Sequence, residues 1–158
     1  MGDEIHVLRD LGPHRHELAT LGLRGRSILE VGAGTGALTE LLLEQGPARV
    51  VAYEIVPGLC RLRDPRLELH EEDITGADLD SLAGQGFALI ANPPYSLLPY
   101  LRGVIERLGV ADVLVMASPK KAALFEGYEV AFELPGEAFE PPARGRHLVL
   151  RRGFAPVR

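Results

Sequence analysis

Cysteine is nearly absent from this chain: Cys60 is the only one in 158 residues. No disulfide can form within the chain, and no cysteine cluster can hold a metal. The five histidines do not fill that gap. His14 and His16 lie close together, but a metal needs three or four converging ligands and no others accompany them, so no metal is expected. Lysine is almost as scarce, with only Lys120 and Lys121 against a background of arginine. Positive charge is not in excess either. A net charge of −5 and a pI near 5.5 exclude a generally basic nucleic-acid-binding surface, though not a local patch. No apolar run reaches the ~18 residues of a membrane span, and Met1-Gly2-Asp3-Glu4 lacks the basic start of a secretory signal. Repeats and low-complexity linkers are missing. With 46% hydrophobic residues the chain is not a disordered one. The expectation is a single domain over residues 1–158, cytoplasmic and not membrane-bound.

What is present is an alternation of apolar strands and amphipathic helices. Strands are expected over 27–31, 49–55, 67–70, 87–91 and 112–117. Helical spacing runs over 36–44 and 97–108, with a short helix over 120–125. Two further β segments, 129–134 and 147–151, follow with a proline-rich turn and no helix between them. Alternation of this kind predicts an α/β fold: a mostly parallel, Rossmann-like sheet with helices on both faces, closed by an antiparallel C-terminal hairpin at one edge. In such sheets ligands bind beyond the carboxyl ends of the strands. Four features fall at such ends: a glycine loop, Glu54, Asp73 and Asn92.

The loop is Glu30-Val31-Gly32-Ala33-Gly34-Thr35-Gly36, after one strand and before a helix. Gly32, Gly34 and Gly36 permit a tight turn against which a ligand can lie on bare backbone. The spacing is G-x-G-x-G, whereas the dinucleotide fingerprint is G-x-G-x-x-G. Glu30 precedes the first glycine, and a carboxylate there suits a cationic ligand, such as a sulfonium with its amino group, better than a pyrophosphate. Glu54 comes 22 residues after Gly32, at the range from which an acid accepts hydrogen bonds from both ribose hydroxyls. Asp73 is placed to accept from an adenine amino group, with Glu71 and Glu72 as neighbouring alternatives.

Asn92-Pro93-Pro94-Tyr95 ends the fourth strand. The Asn92 amide oxygen can accept from an exocyclic NH₂. Proline has no backbone N–H and stiffens the segment, so the Pro93 carbonyl stands as a second acceptor. Tyr95 offers a ring face for a planar base or amide. An amino nitrogen conjugated to a ring is a poor nucleophile because its lone pair is delocalised. Two acceptors on its two hydrogens pull it toward tetrahedral geometry and aim the lone pair. Positioning then supplies most of the catalysis.

Together these motifs resemble class I S-adenosylmethionine-dependent methyltransferases, and within them the ribosomal RNA adenine dimethylase family, which includes the macrolide-resistance methylases. Four stretches carry the resemblance. His6-Val7-Leu8-Arg9-Asp10 resembles that family's N-terminal histidine-apolar-leucine-x-aspartate segment. Residues 28–39 are similar to its cofactor loop and 92–98 to its catalytic segment. Ala138-Phe139-Glu140-Pro141-Pro142, leading into 147–150, resembles its Phe-x-Pro-x-Pro turn and last strand. The resemblance implies S-adenosylmethionine as cofactor, held by His6, Leu8, Glu30, Gly32, Gly34, Gly36, Glu54, Asp73 and Asn92. It implies Asn92, Pro93 and Tyr95 as the catalytic set, with Tyr100 a further candidate for the pocket, and adenine N6 in RNA as the methyl acceptor.

The departures are specific. The family pattern has Asn-Leu-Pro-Tyr; Pro93 makes this segment more like those of DNA amino-methylases and glutamine methylases. Ile5 stands where the family has glutamine. Segments 56–65 and 120–125 are abbreviated, and the chain ends at Arg158, where the family continues into a helical domain that helps to hold RNA. Arg61, Arg63 and Arg66, and Arg144, Arg146, Arg151, Arg152 and Arg158, are candidate phosphate contacts; solvated loop arginines are the plain alternative. Three functions remain open on the sequence: methylation of adenine in RNA, possible through a partner subunit; methylation of a protein glutamine or a small amine; and a non-catalytic S-adenosylmethionine-binding module in a larger complex.

Overall fold

A computed structural model describes residues 6–155; Met1 to Ile5 and Arg158, invoked above, lie outside that range. The chain runs β1 (Val7–Leu8), α1 (Gly12–Leu18), β2 (Ser27–Val31), α2 (Ala37–Glu44), β3 (Arg49–Tyr53), β4 (Leu67–His70), β5 (Ala88–Ala91), α3 (Leu98–Leu108), β6 (Val113–Ala117), β7 (Glu129–Pro135), β8 (Phe139–Glu140) and β9 (Arg146–Arg152). The main sheet has the order β4-β3-β2-β5-β6-β9-β7. Neighbours from β4 to β6 are parallel, and β9 is antiparallel to both β6 and β7. The expected edge hairpin is therefore β7–β9. The expected helix at 120–125 is a 3₁₀ segment over Lys121–Phe125.

Buried parallel strands read as continuous apolar runs because both faces are covered. Here the two faces separate by alternation. Leu29, Val31, Val51, Leu89, Val113 and Val115 pack against Leu98, Leu101, Val104 and Ile105 of α3. Ile28, Val50, Ala52, Ile90, Leu114 and Val149 pack against Leu18 of α1 and Leu38, Leu41 and Leu42 of α2. Each such leucine or valine contributes about 1.5–3 kcal/mol by leaving water. Helix α3 starts on Pro99 in its first turn and stops at Gly109, a left-handed C-cap at φ 63°.

Strand order reverses between β2 and β5: the chain leaves β2 for β3 on one side and later returns to β5 on the other. The crevice beyond their carboxyl ends is the switch point at which open α/β sheets bind ligands. A second ladder, of only two residues per strand, pairs Val7 with Glu140 and Leu8 with Phe139. The amides of Arg9 and Asp10 extend it by donating to the Ala138 carbonyl. The N-terminal segment is thus carried to the turn that precedes β9.

At the opposite, amino-terminal end of the strands, Asp112 accepts from Arg26 (2.9 Å) and from the Phe154 amide (2.6 Å), tying the entry to β2 and the exit from β9 to the start of β6. Both ionic side chains are mostly buried. Asp112→Ala leaves two donors unpaired there, and urea unfolding at neutral pH is expected to show a loss of roughly 1–3 kcal/mol; an unchanged midpoint would mean that the Asp112 bonds contribute nothing to stability.

Candidate active site

The glycine loop and the Asn-Pro-Pro-Tyr segment leave adjacent strands at the switch point, and they touch. Gly32 has φ 83°, and a Cβ there would lie 2.9 Å from the Asn92 carbonyl oxygen and 3.1 Å from Cα of Pro93. No side chain fits, so only glycine lets the two backbones meet. Gly34 (φ 57°) faces open space, with nothing within 4 Å of a Cβ position. Gly36 (φ 94°) begins α2 and closes on Cys60, whose sulfur would lie 3.0 Å from a Cβ.

The loop is tied to the end of β3. The Tyr53 carbonyl accepts from the amides of Gly32 (3.0 Å) and Ala33 (3.2 Å). Glu54 continues the clamp: one carboxylate oxygen accepts from the Gly34 amide (2.8 Å) and the other from the Val56 amide (3.0 Å). Each oxygen keeps a lone pair. The Glu54 carboxylate is buried against the loop beside Gly34.

Glu30 lies beneath the loop, not on its surface. It is wholly buried, accepts from the Thr39 hydroxyl of α2 (2.5 Å), and its second oxygen has no hydrogen-bond partner among the described residues. Burial raises its pKa to about 7, against the Thr39 bond, with the nearby Glu54 charge adding to the rise. A carboxylate in this state is poised to favour a cation bound above it.

Beyond β4 the three acids have separate tasks. Glu71 accepts from the Gly58 amide (2.7 Å), Glu72 lies 3.5 Å from His70, and Asp73 caps the following turn by accepting from the Thr75 amide (3.0 Å) and hydroxyl (2.8 Å). Those bonds hold Asp73 below the usual carboxylate range. One Asp73 oxygen does the capping and the other is open. Tyr100 donates from α3 to the Ile74 carbonyl (3.0 Å), bracing that same turn.

In the Asn-Pro-Pro-Tyr segment, Asn92 is half-buried, Pro93 buried and Pro94 exposed. Among the described residues the Pro93 carbonyl accepts no hydrogen bond, which leaves it free as an acceptor. The Asn92 side-chain amide donates to Nε2 of the fully buried His14 (3.3 Å). Burial depresses His14 to about 4, although the Asn92 bond opposes that fall. The Tyr95 hydroxyl is hydrogen-bonded to Nδ1 of His147 (2.5 Å), and burial pushes its pKa up so that it stays protonated. His147, itself lowered by burial, packs on Phe139 at 4.6 Å between ring centroids. His14 and His147 were not expected at the site; His14 stands in no motif, and His147 entered only as the first residue of the last-strand stretch 147–150.

His6 meets the Pro141 carbonyl (2.8 Å) and Leu8 packs in the cluster that contains Ala33 and Phe139. Both lie at the β1–β8 ladder. The arginine clusters divide. Arg66 binds Asp64 and the Leu43 carbonyl, Arg146 pairs with Glu133, Arg151 with Glu17, and Arg152 reaches the Val110 carbonyl. Arg61, Arg63 and Arg144 are exposed and in no ion pair among the described residues.

A glycine loop, a clamped strand-end acid and a two-acceptor segment on this strand order define a class I S-adenosylmethionine-dependent methyltransferase. The FtsJ-like methyltransferase family matches residues 14–116. Ribosomal RNA small subunit methyltransferase A of Caulobacter vibrioides is 34% identical over 92% of this chain and 67% of its own length. The chain belongs to the family of that protein. The counterpart from Rhizobium etli is 40% identical over 48% of this chain, but only 30% of its own length is matched, so the chain spans a part of these relatives. Among solved structures, the 23S rRNA methyltransferase ErmE superposes with a TM-score of 0.75 at 20% identity, over 95% of this chain and 71% of that one. A dimethyladenosine transferase from Plasmodium falciparum gives 0.72 at 17%, over 93% and 62%. These two share the fold.

The buried Glu30 makes a test of its own. Its folded-state pKa lies above its value in the unfolded chain, so the folded protein holds the proton longer. The resulting stability is full below about pH 4.5 and is lost as pH rises through about 7. Thermal unfolding of the ligand-free protein is expected to show a melting temperature falling between pH 5 and 8. Glu30→Gln flattens that fall and melts higher than the parent at pH 8. A parallel decline in both proteins would remove Glu30 as its source.

Proposed function

We propose that this chain transfers methyl groups from S-adenosylmethionine to the exocyclic N6 of adenine in RNA, acting as one domain over residues 1–158 in the cytoplasm. The observation that carries the reading is the contact of Gly32 with the Asn92–Pro93 backbone, which sets the cofactor cradle directly beside the two acceptors. The names of the relatives, rRNA methyltransferases and a dimethyladenosine transferase, point to the same acceptor. Among the described residues no helix is long and apolar enough to cross a membrane.

The residues present fit the cofactor. Gly34 leaves bare backbone with open space before it, and Gly32 and Gly36 shape the turn. Glu54 takes the ribose hydroxyls and the open Asp73 oxygen the adenine amino group. Leu8 and His6 border the site, and Glu30 supplies negative charge from below. The bound cofactor supplies a methyl group activated by a positively charged sulfur. The chain's own residues do the rest. Tyr95 stacks the target adenine; the Asn92 side-chain oxygen and the Pro93 carbonyl accept the two amino hydrogens and aim the nitrogen lone pair at the cradle. RNA is held by the exposed Arg61, Arg63 and Arg144 on this domain, or by a partner subunit.

Incubation with tritiated S-adenosylmethionine and separate RNA, protein and metabolite fractions tests the acceptor, with nucleoside digestion to find N6-methylated adenosine. Label confined to protein or metabolites would sink the RNA assignment. Asn92→Ala is expected to keep cofactor affinity within about threefold while turnover falls at least about a hundredfold. Glu54→Ala is expected to weaken cofactor binding by about tenfold or more in calorimetry. Retained turnover in the first, or unchanged binding in the second, refutes the assigned role.

A further inference from the structure

We propose that His14 is a positioning residue that fixes which end of the Asn92 carboxamide faces the methyl acceptor. The inference rests on the reading of Asn92 as an acceptor given above. A carboxamide has two nearly isosteric ends, one an acceptor and the other a double donor. Turned over, Asn92 would point N–H groups at the amine it must hold, and no hydrogen bond could form. Some group has to select the orientation, and among the described residues the only one bonded to the Asn92 side chain is His14.

His14 reaches Asn92 from α1, 78 residues away in sequence. It is wholly buried and stands edge to face with Phe132, 5.0 Å between centroids at 85°. Its Nδ1 has no hydrogen-bond partner among the described residues. A ring with one unpaired nitrogen in the interior is costly, and a leucine would fill the same space without that penalty. The cost has one return: a bare Nε2 accepts from the Asn92 NH₂ and turns the oxygen toward the crevice. A neutral imidazole does this only as the Nδ1–H tautomer. Tyr95 is held in a parallel way, by the imidazole of His147. Both ends of the segment are thus anchored by rings that lie outside it.

The tautomer is measurable on the protein alone. Long-range ¹H–¹⁵N correlation spectra of the labelled chain at neutral pH, assigned by the signal lost in His14→Leu, are expected to show Nδ1 protonated and Nε2 bare. An Nε2–H signal overturns the proposal, because His14 would then donate to the oxygen. Kinetics give a second reading. His14→Leu is expected to bind cofactor within about twofold of the parent, with turnover on RNA lowered roughly ten- to hundredfold and KM for RNA little changed. His14→Gln, whose side-chain oxygen can accept from Asn92, restores most of the turnover. Full turnover in His14→Leu, or glutamine no better than leucine, refutes the assignment. If the parent methylates no RNA, the acceptor assignment fails, while the tautomer result still decides the orientation of Asn92.

Discussion

The site rests on a missing side chain. At Gly32 the loop after β2 comes so near the Asn92–Pro93 backbone that a single added carbon would lie 2.9 Å from a carbonyl oxygen. That approach joins the two segments to which the proposed function assigns different chemistry, the glycine loop and the Asn-Pro-Pro-Tyr segment. Their separation is set by backbone against backbone, the stiffest contact a protein offers. Strand order makes it possible, because β2 and β5 are neighbours across the switch point. Tyr53 and Glu54 maintain it by taking the amides of Gly32, Ala33 and Gly34.

Around that contact the protein keeps its ionisable groups dry. Glu30, His14 and His147 are all buried, and burial drives each toward its neutral form. Glu54 is buried as well, and keeps two amide bonds, one on each carboxylate oxygen. It is thus hydrogen-bonded on both oxygens, whereas Glu30, His14 and His147 each keep one buried polar atom without a partner among the described residues. A cation bound above Glu30 would draw it back toward its charged form.

Much of this was legible in the sequence. β2 and β4 begin and end where the apolar runs do, and the other strands differ by a residue or two at their ends. The glycines, Glu54 and Asn92 were legible because each stands at a strand end, where side-chain direction follows from topology. The β1–β8 ladder was not, since two residues per strand carry no periodicity. Helix α1 was missed as well: Pro13, His14 and His16 obscure an apolar stripe. Burial of Glu30 follows from its facing α2, a fact that alternation along β2 contains only once the sheet is known to be covered. The roles open to His14 and His147 depend on contacts spanning 78 and 52 residues, and no local pattern encodes a partner at that distance. As a sequence feature His14 invited only a comparison with His16, which the structure leaves exposed.

The closure of Gly36 on Cys60 has a kinetic corollary. The only thiol in the chain is buried against the third glycine of the loop, with its pKa raised by that burial. At 5% exposure the thiol reacts through local opening around it, so the labelling rate reads the frequency of that opening. With no second cysteine to confuse the signal, the molecule carries its own clock for breathing around the glycine loop.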